Sequence, residues 1–192
     1  MVNLGSPESP TAKDVKPYLD EFLMDERVID APKWLRAFLV KGIILQTRPK
    51  KSAKAYAKIW WEEGSPLIVL SERFATKVQQ HTKMPVALGM RYGTMSIKNA
   101  LQELKDKGVD EVLLVPLYPH YAMSSFETVV VKVLEEQQQY FPEMEVTTLP
   151  AFYKNADYIQ ALSESIKDGL KDFDYDHILF SYHGIPERHI RK

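Results

Sequence analysis

PVALGMRYGTMSIKNALQELKDKGVDEVLLVPLY, residues 85–118, sets two short apolar runs on either side of one amphipathic segment. The runs PVALGMRY, 85–92, and EVLLVPLY, 111–118, read as strands. Between them SIKNALQELKDKG opens with Ser96, whose hydroxyl suits an N-cap, and closes with Gly108, which suits the left-handed position past a helix end. Strand, helix and strand in this order form a crossover, the unit from which parallel sheets are built.

The same alternation extends in both directions. MVNL (1–4), EVTTLPAF (145–152) and HILFSY (177–182) are further candidate strands. PTAKDVKPYLDEFLMD starts a helix at Pro10 and Thr11 and sets Val15, Tyr18, Leu19 and Phe22 on one face. SERFATKVQQHTK predicts a helix opening at Ser71 and Glu72, and 126–140 and 156–171 supply the remaining long helices. The expected fold is α/β, a parallel sheet flanked by helices. Residues 30–66, DAPKWLRAFLVKGIILQTRPKKSAKAYAKIWWEEGSP, are too long for a simple connection. They read either as an extra helical pair packed on the sheet or as a mobile apolar lip over a ligand site, with Trp34, Leu35, Phe38 and Leu39 partly exposed.

Composition narrows the function classes. The chain has 192 residues, 45% of them hydrophobic, which is enough for a packed core. The 25 Lys+Arg balance 26 Asp+Glu, so no bulk field points to nucleic acid. With no cysteine, disulfides and thiolate metal sites are excluded within these residues, in keeping with a reducing compartment. There is no secretory leader pattern and no apolar run of about eighteen residues, so a soluble cytoplasmic protein is expected.

Ligands of open α/β sheets bind beyond the carboxyl ends of the strands. Those positions here are Leu4-Gly5-Ser6-Pro7, Arg91-Tyr92-Gly93, Tyr118-Pro119-His120-Tyr121 and His183-Gly184-Ile185-Pro186. The predicted rim thus offers rings, an arginine, small residues and an imidazole. Each group has an ordinary alternative: Arg91 serves equally as a structural ion-pair partner, the tyrosines as core edge, and His183 as a histidine hydrogen-bonded to a loop. A neutral imidazole at a strand end also suits a metal ligand or a base near neutral pH. His120 is a second rim candidate, whereas His81, His177 and His189 carry no assigned chemistry. The spacing of His183 and His189 in HGIPERH suits neither helix nor strand as a chelate. Dinucleotide, P-loop and α/β-hydrolase motifs are absent.

The collinear segments VNLGSPESP, EFLMDERVI, GSPL (64–67), MRYG (90–93), VPLYPHY (115–121) and LFSYHGIPER (179–188) together resemble the ferrochelatase family. That resemblance implies paired flavodoxin-like domains, the chelatase-like fold, with a porphyrin in the cleft and Fe²⁺ as the metal substrate inserted in haem biosynthesis. No further cofactor is required. It implies His183 as catalytic and metal-site histidine. It also implies a porphyrin-binding set of Leu4, Arg48, Lys51, Ser65, Arg91, Tyr92, Tyr118, Ser124 and Ile185, with Arg48 and Lys51 on the propionates. Many members read PLYPQYS where this chain has PLYPHYA, which leaves the role of His120 open.

On the same basis the chain corresponds to an N-terminal half, truncated before most of the second domain. Residues 1–152 would form the first domain, and 153–192 the crossover helix and first strand of the second. The acidic partner of His183 would lie outside this stretch, leaving the chain inactive or weakly active alone. The expected partners are porphyrin and Fe²⁺, with no nucleic acid. Residues 33–45 are a candidate for peripheral membrane contact, and the exposed strand 177–183 for self-association. The alternatives are a cobaltochelatase-type tetrapyrrole chelatase and a non-catalytic tetrapyrrole-binding module.

Overall fold

A computed structural model describes residues 1–189. In it the central crossover forms as its caps dictate. Ser96 Oγ accepts the N–H of Asn99 at 3.2 Å and starts α5, Ile97–Asp106. Gly108 adopts φ +77° and its N–H closes on Lys105 O at 2.8 Å. The flanking strands are β2, Gly89–Tyr92, and β3, Glu111–Leu114. They are shorter than their apolar runs because a residue counts as strand only where a neighbour pairs with it, and Pro85 has no N–H to offer.

Strand β1, Val2–Gly5, pairs in parallel with β2, Val2 opposite Gly89 and Gly5 opposite Tyr92. Strand β4, Glu145–Thr148, pairs in parallel with β3 in the register Glu111 to Glu145 and Leu114 to Thr148. The two pairs meet through Val2, whose N–H donates to Val115 O at 3.0 Å and whose carbonyl accepts the Leu117 N–H at 2.8 Å. The described strand order is therefore β2-β1-β3-β4, all parallel.

Each face gains its cover from a periodic helix. Ile97, Leu101 and Leu104 of α5 and Val129 and Val133 of α6 (Thr128–Tyr140) pack with Val2, Ala87, Leu114, Phe141 and Met144 into one core. Burying a side chain of this size contributes about 1.5–3 kcal/mol. Helix α1, Ala12–Met24, is capped by Thr11 and buries Val15, Tyr18, Leu19 and Leu23; Phe22, expected on that face, is half-buried. These residues form a second core with Val40, Leu45, Ala53 and Tyr92.

Residues 30–66 are helical: α2, Lys33–Ala37, runs through a π-helical segment, Phe38–Ile44, into α3, Leu45–Ile59. The helical reading of this region holds. Trp34 and Phe38 are nonetheless 73% and 61% exposed, and Leu35 and Leu39 half-buried. Helix α4 spans Pro66–His81, opening five residues before the expected Ser71, because Ser65-Pro66 supplies an extended residue followed by a proline at the first helical position. Helix α7 is Ala156–Leu170, capped by Asn155.

HILFSY is not a strand. Residues 177–182 form neither helix nor strand and lie exposed, Leu179 at 93% and Tyr182 at 81%. An apolar run becomes a strand only when another strand satisfies its backbone, and among the described residues none pairs with it.

Candidate functional site

The carboxyl ends of β1 and β2 approach each other closely. Gly5 has φ +103°, and a Cβ there would fall 1.9 Å from Tyr92 O; Gly93 has φ +96°, and its Cβ would meet Ser6 O at 2.7 Å. Only glycine permits this approach. It places Tyr92, 1% exposed, within the second core. Phe22 and Tyr18 meet the Tyr92 ring edge-on at 5.2 and 6.5 Å between centroids. Tyr56 and Trp60 extend the aromatic wall.

Beside this wall lies a buried polar network. Asp25, just past α1, receives Arg91 Nη2 at 2.5 Å and the Tyr92 hydroxyl at 2.9 Å on Oδ2, and the Arg27 N–H at 2.8 Å on Oδ1. Thr128, first residue of α6, donates its hydroxyl to the same Oδ2 and accepts Arg91 Nε–H at 2.7 Å. The guanidinium also lies over the Tyr92 ring, 4.3 Å from its centroid. Burial pushes the Asp25 carboxyl up, but the hydrogen bonds from Thr128 and the Arg27 N–H, together with the Arg91 charge, outweigh it and hold the group below the usual carboxylate range. Desolvation raises the Tyr92 and Tyr118 phenols, so both are neutral donors at physiological pH.

Of the residues singled out from sequence, Leu4, Ser65, Arg91, Tyr92 and Tyr118 gather at these strand ends. Leu4 packs against the Tyr92 core. Ser65 is buried and makes no capping bond of its own; with Ser6, Trp60 and Tyr92 it lines a cavity of about 230 Å³. Tyr118 has a buried hydroxyl with no hydrogen-bond partner among the described residues. Arg91 is the ion-pair partner that the sequence left as an alternative. Ser124 lies in a π-helical turn, Met123–Glu127, that leads directly into Thr128.

The others stand apart. Arg48 and Lys51 are exposed on α3. His183 and Ile185 are exposed on the C-terminal segment. His120 is exposed and stacks on Tyr153 at 5.3 Å between centroids, tying the turn after β3 to the one after β4. Among the described residues, no group of three His, Cys, Asp or Glu side chains converges to hold a metal ion. No helix there is long and apolar enough to cross a membrane.

Sequence reading missed three residues. Asp25 lay in the quoted EFLMDERVI segment, but a carboxylate at a helix end gave no sign that β2 and α6 converge on it. Thr128 looked like an ordinary helix residue. His189 had no assigned chemistry, yet it is 3% exposed, with Nδ1 3.3 Å from Ser124 Oγ and Nε2 buried without a partner among the described residues. Desolvation lowers its pKa.

A parallel α/β sheet with aromatic, guanidinium and hydroxyl groups collected beyond its strand ends belongs to the class of open-sheet proteins that take a ligand at that edge. Within this class the chain belongs to the ferrochelatase family, whose model matches residues 1–192. It is 50% identical to a ferrochelatase of Opitutus terrae, 49% to one of Azotobacter vinelandii and 48% to one of Pseudomonas paraeruginosa. Each match covers all of this chain and 56% of the relative, so the chain spans about half the length of the curated relatives it matches.

Proposed function

We propose that this chain is the porphyrin-holding N-terminal part of a ferrochelatase, a lyase that inserts Fe²⁺ into protoporphyrin IX or coproporphyrin III. The family match over the whole chain carries this reading. The aromatic and hydroxyl groups at the strand ends support it.

Insertion requires loss of two pyrrole protons and passage of a hydrated ion into a rigid ring. A ring bent by its binding site turns nitrogen lone pairs out of plane and lowers both barriers. In this reading Leu4, Tyr92, Tyr118, Ser124 and Ile185 wall the macrocycle, with the Ser65 hydroxyl beside them. Arg48 and Lys51 take its propionates, and Arg91 assists through its least engaged nitrogen. His183 accepts a pyrrole proton, relays the metal, or does both, since imidazole is an intermediate ligand for Fe²⁺ and a base near neutrality. Fe²⁺ is substrate, and no further cofactor is needed.

Residues 1–152 act as the first domain, and 153–192 lead into a second. Trp34, Phe38 and Ile43, exposed beside the lysines of α3, suit peripheral contact with a membrane from the cytoplasmic side. The exposed apolar residues of 177–183 favour self-association.

A second reading, a tetrapyrrole-binding module without catalysis, is favoured by the solvent exposure of His183. Titration with protoporphyrin followed by Zn²⁺ or anaerobic Fe²⁺ separates the two. Tight binding with metal insertion is expected of the chelatase, binding alone of the module, and no binding refutes both.

A further inference from the structure

We infer that Asp25 is a positioning residue for the ligand site: it fixes Arg91 and Tyr92 against the turn that carries Ser124. This rests on the porphyrin reading above and adds to it a residue that touches no ligand.

The argument is geometric. The Asp25 side chain is 2% exposed and the Arg91 side chain 13%. Arg91 Nε–H reaches Thr128 Oγ1, the Thr128 hydroxyl reaches Asp25 Oδ2, and Asp25 Oδ2 takes Arg91 Nη2, so three side chains close a ring of hydrogen bonds. These residues come from the loop after α1, the end of β2 and the first turn of α6, three elements that the backbone ladder does not join directly at this point. A guanidinium free to rotate would leave its place over Tyr92; bound at Nε and Nη2, it is held above that ring. Its remaining nitrogen, Nη1, lies 3.8 Å from the exposed Glu21 and is the least engaged of the three. The Tyr92 hydroxyl is likewise spent on Asp25, so the phenol is held in place rather than offered to a macrocycle. Thr128 follows the π-helical turn directly, so the same bonds set the position of Ser124. A buried, fully paired carboxylate of this kind holds its partners to one arrangement, whereas a half-satisfied one would release them.

The test uses the whole chain and protoporphyrin IX as probe. Asp25→Asn keeps the shape and removes the charge. Arg91 Nε–H, followed by ¹⁵N NMR, is expected to exchange slowly in the wild type and rapidly in Asp25→Asn, and the variant's porphyrin Kd to rise at least about tenfold with an altered Soret band. Val133→Ala, a core substitution remote from the network, controls for lost stability: at a temperature where both variants are folded it should retain wild-type Kd and spectrum. Wild-type Kd and spectrum in folded Asp25→Asn would overturn the inference. Should that variant not fold, Thr128→Val removes one link of the ring and is expected to weaken binding, with Thr128→Ser restoring it; unchanged binding by Thr128→Val would be equally contrary. Failure of the wild-type chain to bind porphyrin would instead refute the proposed function, and the Arg91 Nε–H exchange rate would still decide whether Asp25 positions Arg91.

Discussion

Asp25 Oδ2 lies 2.5 Å from Arg91 Nη2, joining two residues 66 positions apart in the chain. Removing either partner leaves the other charged and buried, which costs about 3–5 kcal/mol. Asp25→Ala and Arg91→Ala are each expected to lose that much in urea unfolding, and the double variant to lose much less than the sum. Additive losses would mean that the pair does not interact in solution.

The same pair sets an acid limit. The Asp25 pKa is lower folded than unfolded, so its contribution is complete above the unfolded value of about 3.9 and is lost as pH falls through the folded value. The groups around it are Arg91, Tyr92, Thr128, Glu21 and the Arg27 N–H. Wild-type stability should therefore fall more steeply than that of Asp25→Asn below about pH 4, with the two curves parallel at higher pH. Equal acid slopes would remove Asp25 as the cause.

Gly5 and Gly64 both have positive φ but differ in their surroundings. A Cβ at Gly5 would collide with the Tyr92 carbonyl, whereas at Gly64 nothing lies within 4 Å. Gly64→Ala should cost only the backbone strain, about 1–2 kcal/mol. Gly5→Ala adds a clash between paired strands and should cost at least about 3 kcal/mol. Thermal unfolding of the two variants checks the order.

What the sequence disclosed and what it hid follow from one physical distinction. Caps, glycines and apolar periodicity act locally, so the crossover from Ser96 to Gly108 and the parallel α/β class were legible. The opening of α4 differs from the expected Ser71 because Ser65-Pro66 starts the helix five residues earlier. HILFSY has every local mark of a strand, but pairing is a property of two segments. The site divided likewise: Leu4, Arg91, Tyr92 and Tyr118 follow from strand ends and Ser65 from the family resemblance, whereas Asp25 and Thr128 matter only because three elements converge.

The caps separate stability from binding. Ser96 caps α5 through its hydroxyl, while Ser65 precedes α4 without a side-chain cap bond. Ser96→Ala should cost about 1 kcal/mol and leave porphyrin affinity unchanged. Ser65→Ala should do the reverse, altering affinity with a smaller change in stability. Matching losses of stability would make Ser65 an ordinary cap.

Phe180 and Leu179 are 59% and 93% exposed in a segment whose backbone pairs with no described strand. Apolar residues so displayed drive association between chains. Sedimentation velocity should reveal concentration-dependent oligomers of the wild-type chain and a shift toward monomer in Leu179→Asp/Phe180→Asp. A wild-type monomer at high concentration, with 177–183 protected from hydrogen exchange, would contradict this.

His183 is exposed in the chain, so under the proposed function its chemistry depends on whatever faces it in a protein of the relatives' full length. Its side chain has no part in either core, and its loss should leave the fold intact. In such a full-length protein the proposed function predicts that His183→Ala lowers metal insertion by at least about a hundredfold in kcat, since that reading makes His183 the proton acceptor or metal ligand at the reacting nitrogens. Porphyrin Kd should change less than about threefold, since the proposed function assigns binding to the walls and the propionate cations. Loss of binding and insertion in equal measure would make His183 architectural and would move the proton-accepting role to another group.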